Sequence, residues 1–384
     1  MTTFSIFLEQ DAEPLLFNFT QFKIVTHHNK TAEINEPALE LIAGDASDRK
    51  FFRLINNKED NAICMQFPKW EGGYGGDPIS WIGMHNALSK MGLPVPKILE
   101  IDETNACIWT QDLGNNFLNS ILKEECLDAS KPECAAAVEY YKQALSLLVQ
   151  AQYPNVTIDH PASNRFFNFE KLYYEMNFFV THFLNGLLHL DVDENDKSWS
   201  GLFDNFNLLC KKLETYDKVL CHRDYHVRNI MIQDKMLYWI DFQDARMGPH
   251  AYDVVSLVRD SYVEVTWKTR ELLFSYYLNA LNSRREKFGL KAISFADFHL
   301  ELLLMGLQRN IKALGSFGYL AIKKSKPEYL KYVIHTLKIL CSKNSQVHEE
   351  TDLKRLFPHI FELLDNLLNG KYSKKLNKII DRVK

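Results

Sequence analysis

The chain has 384 residues, enough for one large or two medium domains with an ample core. With 46% apolar and 24% charged residues, a net charge of −4 and a pI of about 6.4, it has an ordinary globular composition and lacks the basic excess with which proteins bind nucleic-acid backbones in bulk. Its seven cysteines form no C-x-x-C pair, no window approaches ~18 uninterrupted apolar residues, and MTTFSIFLEQDAE lacks a basic leader and cleavage site, so no zinc ribbon, disulfide framework, membrane span or signal peptide is expected. The chain reads as reduced and cytoplasmic, with no nucleic-acid or membrane partner.

Residues 1–34 carry no clear pattern. In LELIAGDASDRKFFRLI two apolar runs flank a Gly-Asp-Ala-Ser turn, which predicts a hairpin. NAICMQFP predicts a third strand stopping at Pro68. EGGYGGDP, residues 71–78, has four glycines in eight positions and predicts a loop. ISWIGMHNALSKM has helical spacing and ends at Gly92. VPKILEIDETNACIWTQDLG predicts two more strands around Asp102 to Asn105. Residues 35–114 therefore read as a small sheet of about five strands with one helix.

Beyond Gly114 the pattern becomes helical, with long stretches such as AAAVEYYKQALSLLVQAQ and FEKLYYEMNFFVTHFLNGLL. A mixed segment over 219–250 interrupts, and helices resume from about residue 251. The basic tail NGKYSKKLNKIIDRVK predicts a solvated surface helix. The expected fold class is α+β and bilobal: a small β-rich N-lobe over 1–114, a large mainly helical C-lobe over 115–384, and a ligand site between them.

The densest chemistry is CHRDYHVRNIMI, residues 221–232. His222, Asp224 and His226 alternate as metal ligands on a strand would, with Asp241 and His250 as further donors. The other reading is a kinase catalytic loop. His222-Arg223-Asp224 followed by Asn229 has the H-R-D-x-x-x-x-N spacing. Asp224 would accept or orient a substrate hydroxyl, and Asn229 would hold magnesium. A second metal carboxylate must come from another strand. IMIQDKMLYWIDF supplies it as a hairpin turning at Gln233-Asp234-Lys235 and delivering Asp241, then Phe242, at the place of D-F-G. The two parts together make the kinase-like reading the favoured one.

HRDYHVRNIMI with YWIDFQDARMGPHAYDVVSLVRD resembles the aminoglycoside phosphotransferase and choline kinase superfamily, a protein-kinase-like fold. No A-P-E segment or activation loop is evident. Within that superfamily the chain most resembles the anomeric kinases of N-acetylmuramate and N-acetylglucosamine, which serve cell-wall (peptidoglycan) sugar recycling. Four blocks carry this likeness: GDASDRKFFR (44–53), QDLG (111–114), the catalytic core through residue 262, and MGLQRNIKALGSFGYLA with KPEYL (305–330). The resemblance implies Asp224 as catalytic aspartate and Asn229 and Asp241 as Mg2+ ligands. It implies Gly44, Asp45, Ala46 and Ser47 as the turn over the ATP phosphates, and Gln111 to Leu113 as the segment whose backbone pairs with adenine. Asp253 is expected to cap a helix and brace the catalytic loop.

There are departures from the kinase pattern. NAICMQFP has no lysine at the V-A-I-K position, and the next helix has no glutamate to pair with it. Lys50, Arg53 and Lys69 are nearby substitutes, of which Arg53 lies in a matching block. On the acceptor side Glu175, Gln243, Asp244, Arg259, Gln308 and Arg309 are polar groups in apolar text. Asp244, following the metal aspartate, is the foremost of them. The function expected is ATP- and Mg2+-dependent phosphorylation of the anomeric hydroxyl of N-acetylmuramate or N-acetylglucosamine. The rivals are another acceptor (an aminoglycoside, choline or a different sugar), a non-catalytic nucleotide-binding regulator, and a metal hydrolase. Oligomeric state is not legible.

Overall fold

The computed structural model describes residues 23–25, 38–42, 49–55, 62–73, 76–122, 126–341 and 348–382. Two compact units divide the chain, one drawn from Met1–Ile79 and Pro96–Asp112, the other from Ser80–Val95 and Leu113–Lys384. The change expected after residue 114 falls between 112 and 113, and the helix expected in the small lobe groups, from Ser80 onward, with the larger unit.

The first unit is a six-stranded sheet of β1 (Lys23–Val25), β2 (Ala38–Ile42), β3 (Lys50–Ile55), β4 (Ala62–Gln66), β5 (Ile98–Asp102) and β6 (Cys107–Gln111), in the order β1-β2-β3-β4-β6-β5. All neighbours are antiparallel except β1, which runs parallel to β2. β1 lies in the stretch without a legible pattern, because three residues are too few to show a period of two. Alternation places Leu39, Phe52, Leu54, Ala62, Cys64, Cys107 and Trp109 in one buried cluster. Phe52 faces Cys64 and Cys64 faces Trp109 across the ladder. Arg53, between Phe52 and Leu54, takes the opposite face.

The second unit contains α1 (Pro78–Lys90, whose first two residues belong to the sheet unit), α2 (Ala135–Gln152), α3 (Phe169–Phe179), α4 (Ser200–Glu214), α5 (Ala251–Val258), α6 (Trp267–Lys287), α7 (Phe295–Lys323), α8 (Val333–Cys341), α9 (His348–Leu356), α10 (Pro358–Leu368) and α11 (Ser373–Ile380). Asn168 caps α3 by accepting from Lys171 N at 3.1 Å, and Ser294 caps α7 by accepting from Asp297 N at 3.1 Å. The helix expected to run unbroken from 169 widens to π form over Val180–Leu187. The basic tail is helical over α11, but Leu376 and Ile380 are buried, so only one face is solvated.

Among the described residues six short strands punctuate this unit: β7 (Cys126–Leu127), β8 (Val219–Cys221), β9 (Ile230–Gln233), β10 (Met236–Trp239), β11 (Arg246–Gly248) and β12 (Glu264–Val265). They pair as β7 with β12, β8 with β11 and β9 with β10. The β9–β10 turn is two residues long, with Asp234 and Lys235 both left-handed at φ 51° and 65°. Residues 222–229 are thereby suspended between two small ladders, with Cys221 paired to Arg246 and Ile230 to Trp239. Among the described residues no helix is long and apolar enough to cross a membrane.

Candidate active site

Two buried carboxylates support the loop 222–229 from below. Asp253 accepts from the backbone N–H of His222 at 2.6 Å and of Arg223 at 3.0 Å. Asp260 accepts from Val227 N at 3.0 Å and from Tyr262 N at 2.9 Å. Both are fully enclosed. Burial pushes Asp253 up to about 7 and Asp260 up to about 6, against the backbone donors and Arg309, which pull both down. Asp253 is not the cap expected of it. It is the third residue of α5, whose N-cap is His250, and Glu301 of α7 accepts from Ala251 N at 2.9 Å instead. The bracing matters because Arg223 sits at φ 83°, a left-handed conformation costly for a residue with a Cβ.

Asp224 rises from this frame with its side chain one-third exposed. Lys312 Nζ of α7 lies 2.9 Å from its Oδ1. Burial alone would raise the carboxyl, but Lys312, Arg223 and His226 hold it well below the usual carboxylate range. Arg223 also pairs with Asp244, Nη1 to Oδ2 at 3.4 Å. Charges therefore alternate along Asp244, Arg223, Asp224 and Lys312.

Asn229 and Asp241 meet at the open end of the hairpin. Ile240 N donates to Asn229 O at 3.1 Å, which carries the β9–β10 pairing one step further. Asn229 Nδ2 donates to Asp224 O at 2.9 Å, so its amide nitrogen faces the loop. Asp241 is left-handed at φ 62°, and its Oδ1 accepts from Gln243 Nε2 at 3.0 Å. Gln243, expected on the acceptor side, orients the second aspartate instead.

Two of the histidines have a ring nitrogen engaged by a protein partner. His222 Nε2 donates to Ile240 O at 2.9 Å, and His250 Nε2 meets Tyr153 Oη at 2.7 Å. His226 is pushed down to about 3 by burial and Arg309. Among the described residues no group of three or more His, Cys, Asp or Glu side chains is arranged to hold a metal on its own.

The remaining expected site residues divide by location. Glu175 is buried, 3.2 Å from Lys171 Nζ, and accepts from Gln308 Nε2 at 3.0 Å. Burial raises its carboxyl, but Lys312, Lys171 and Arg223 together hold it below its ordinary value. Arg259 donates to Ile339 O at 3.1 Å, and Arg309 donates to Ser256 Oγ at 3.0 Å. Both arginines, read from the sequence as acceptor-side groups, thus take part in helix packing and loop support. In the sheet unit, Arg53 makes a two-pronged bond to Asp112 at 2.6 and 3.1 Å. Lys69 pairs with Glu71, and Lys50 is exposed. Gln111 ends β6, with its N–H on Lys97 O at 2.9 Å, while Leu113 is buried in the second unit. Gly44, Asp45, Ala46 and Ser47 lie outside the described residues. Lys312 escaped the reading of the sequence. The signal available was its spacing on α7, where Glu301, Gln308, Arg309 and Lys312 recur at helical intervals in apolar text.

A loop aspartate held ionised, an asparagine five residues on and an aspartate at the end of the next hairpin define a protein-kinase-like phosphotransferase with an alcohol group as acceptor. The family model APH, the phosphotransferase enzyme family, matches residues 38–287, and the chain belongs to that family. The N-acetylmuramate/N-acetylglucosamine kinase of Pseudomonas aeruginosa is 30% identical over 301 residues, covering 77% of this chain and 80% of that one. The protein of the same name from Neisseria meningitidis serogroup B is 29% identical over 299 residues, 76% and 81% of the two chains. Among solved structures, a choline kinase from Cryptosporidium parvum superposes with a TM-score of 0.55 at 11% identity, covering 87% of this chain and 95% of that one, a likeness of fold.

Proposed function

We propose that this kinase transfers the γ-phosphoryl group of ATP to the anomeric hydroxyl of N-acetylmuramate, N-acetylglucosamine or both, with Mg2+ as cofactor. The observation that carries this reading is Asp224: a carboxylate open on one side, in a loop whose Asn229 bonds back to Asp224 O and which leads through the β9–β10 hairpin to Asp241, in a chain whose relatives bear those substrate names. In the transfer Asp224 orients the acceptor hydroxyl for in-line attack and takes its proton. Arg223 and Lys312 keep that carboxylate charged, and Asp253 and Asp260 hold its loop still. Phosphoryl transfer depends mostly on positioning and electrostatics, so few other side chains need act.

The donor set fits magnesium. Asn229 and Asp241 offer hard oxygen atoms, and Gln243 Oε1 beside Asp241 is buried with no partner, an acceptor that a hydrated cation would satisfy. When bound there with ATP, magnesium neutralises charge on the phosphate oxygens. Gly44 to Ser47 and Arg53 are proposed for the nucleotide phosphates, Gln111 to Leu113 for adenine, and Asp244 for the acceptor. ADP release measured with each sugar, with and without Mg2+, tests the assignment, and phosphorus NMR of the product locates the new ester. Magnesium-dependent turnover to a 1-phosphate is expected. Turnover with choline or an aminoglycoside, and none with either sugar, would overturn it.

A further inference from the structure

Lys312 belongs to none of the elements by which the site is recognised, yet it makes the shortest polar contact to the Asp224 side chain. Its Nζ is 2.9 Å from Oδ1, and its side chain is 13% exposed. A buried carboxylate, Glu175, lies within its electrostatic reach. Lys312 is the strongest of the cations that keep Glu175 charged, and Glu175 is fixed by Gln308, one turn earlier on α7, and by Lys171 of its own helix. Among the described residues Asp224 Oδ2 accepts no such bond.

A carboxylate held through one oxygen cannot rotate freely about its last torsion, which is otherwise broad. We propose, on the reading that Asp224 is the catalytic aspartate, that Lys312 is its positioning residue: it clamps Oδ1 so that Oδ2 is presented to the acceptor hydroxyl, and Glu175, bonded to Gln308 one turn earlier on α7, steadies that stretch of the helix. A cation so close makes Asp224 a weaker base. A loose phosphoryl-transfer transition state tolerates this, because it asks for alignment more than for base strength. The device comes from α7, outside residues 38–287 that define the family match.

The test is steady-state kinetics per ATP-binding site, with sites counted by calorimetry. Lys312→Met should lower kcat on the order of 100-fold, the scale of a misplacement by about 1 Å, while the KM for ATP stays within about twofold. Lys312→Arg, which still donates to Oδ1, should recover most of that loss. Glu175→Gln should lower kcat severalfold in the same direction. A merely structural lysine would lower the number of binding sites and the melting temperature but leave kcat per site unchanged. That result, in Lys312→Met or, if that variant does not fold, in Glu175→Gln, overturns the proposal. Asp224→Asn run alongside separates the two levels: if it turns over normally the catalytic-aspartate reading fails, whereas a dead Asp224→Asn beside a normal Lys312→Met sinks the positioning role alone.

Discussion

Asp224 lies in the loop and Asp253 beneath it, and their oxygens have different employment. Asp253 gives both to backbone N–H groups and is fully enclosed. Asp224 gives one to Lys312. Replacing each with alanine should therefore produce opposite defects. Asp224→Ala is expected to lose at least about 1000-fold in turnover, to bind ATP nearly as well as the parent, and to melt at a similar temperature. Asp253→Ala leaves two buried donors unpaired beside a left-handed Arg223, and should destabilise the fold by roughly 2–5 kcal/mol. Thermal melts with nucleotide titrations distinguish the two, and a stable Asp253→Ala with normal turnover would contradict the bracing role. What was legible here followed sequence distance. Asp224, Asn229 and Asp241 are joined by a five-residue spacing and one hairpin, both local. Lys312 reaches Asp224 from 88 positions away, and Asp260 supports Val227 from 33, so only the tertiary fold reveals them. Arg309 illustrates the converse. An arginine in apolar text reads as a ligand group, but here it serves buried carboxylates under the loop.

Among the elements, α7 explains why the glycines of GSFGYL are needed. A Cβ on Gly315 would lie 2.8 Å from Phe179 Cα, and one on Gly318 would lie 2.5 Å from His182 O. Both obstacles are backbone, which cannot swing aside as a side chain can. α7 thus lies directly against α3 and its π-helical continuation, and that closeness brings Gln308 to Glu175. Gly318→Ala gains about 1 kcal/mol of helix propensity. Overpacking against a backbone typically costs 1–3 kcal/mol or more, so a net loss of stability is expected. The shift should also carry Lys312, six residues earlier, out of register with Asp224. Melting temperature and kcat should both fall, and a rise in melting temperature would show that the approach is slacker than drawn. Periodicity revealed this helix but not its partner. The same limit appears in α3, where apolar spacing predicted a helix and could not show its widening at Val180. α2, by contrast, spans the stretch AAAVEYYKQALSLLVQAQ from end to end, because its apolar face alone decides it.

On the scale of the whole molecule, the helical unit buries titratable groups of both signs, and this sets how stability responds to pH. At the junction of α2, α5, α6 and α7, His250 is 1% exposed and Glu301 is 3% exposed. The Tyr153 hydroxyl accepts from Arg285 and lies 2.7 Å from His250 Nε2. Burial, then Arg285, pushes His250 down to about 4 from an ordinary 6.5. Burial pushes Glu301 up to about 7 from 4.5, although Ala251 and His250 backbone donors pull the other way. The signs are opposite. The depressed histidine contributes stability that is present above pH 6.5 and is lost as pH falls from 6.5 to about 4. The raised carboxyl contributes stability that is present below pH 4.5 and is lost as pH rises from 4.5 to about 7. Each full span is worth roughly 3 kcal/mol, so over the shared window the two nearly offset. Single variants should expose them. His250→Gln removes the acid-side loss, so its deficit against the parent should shrink between pH 7.5 and 5. Glu301→Gln keeps an acceptor for Ala251 N without a charge, so its standing against the parent should improve between pH 5 and 8. Chemical denaturation across pH 5 to 8 measures both, and profiles parallel to the parent's would mean that neither group titrates in the folded molecule as its surroundings require.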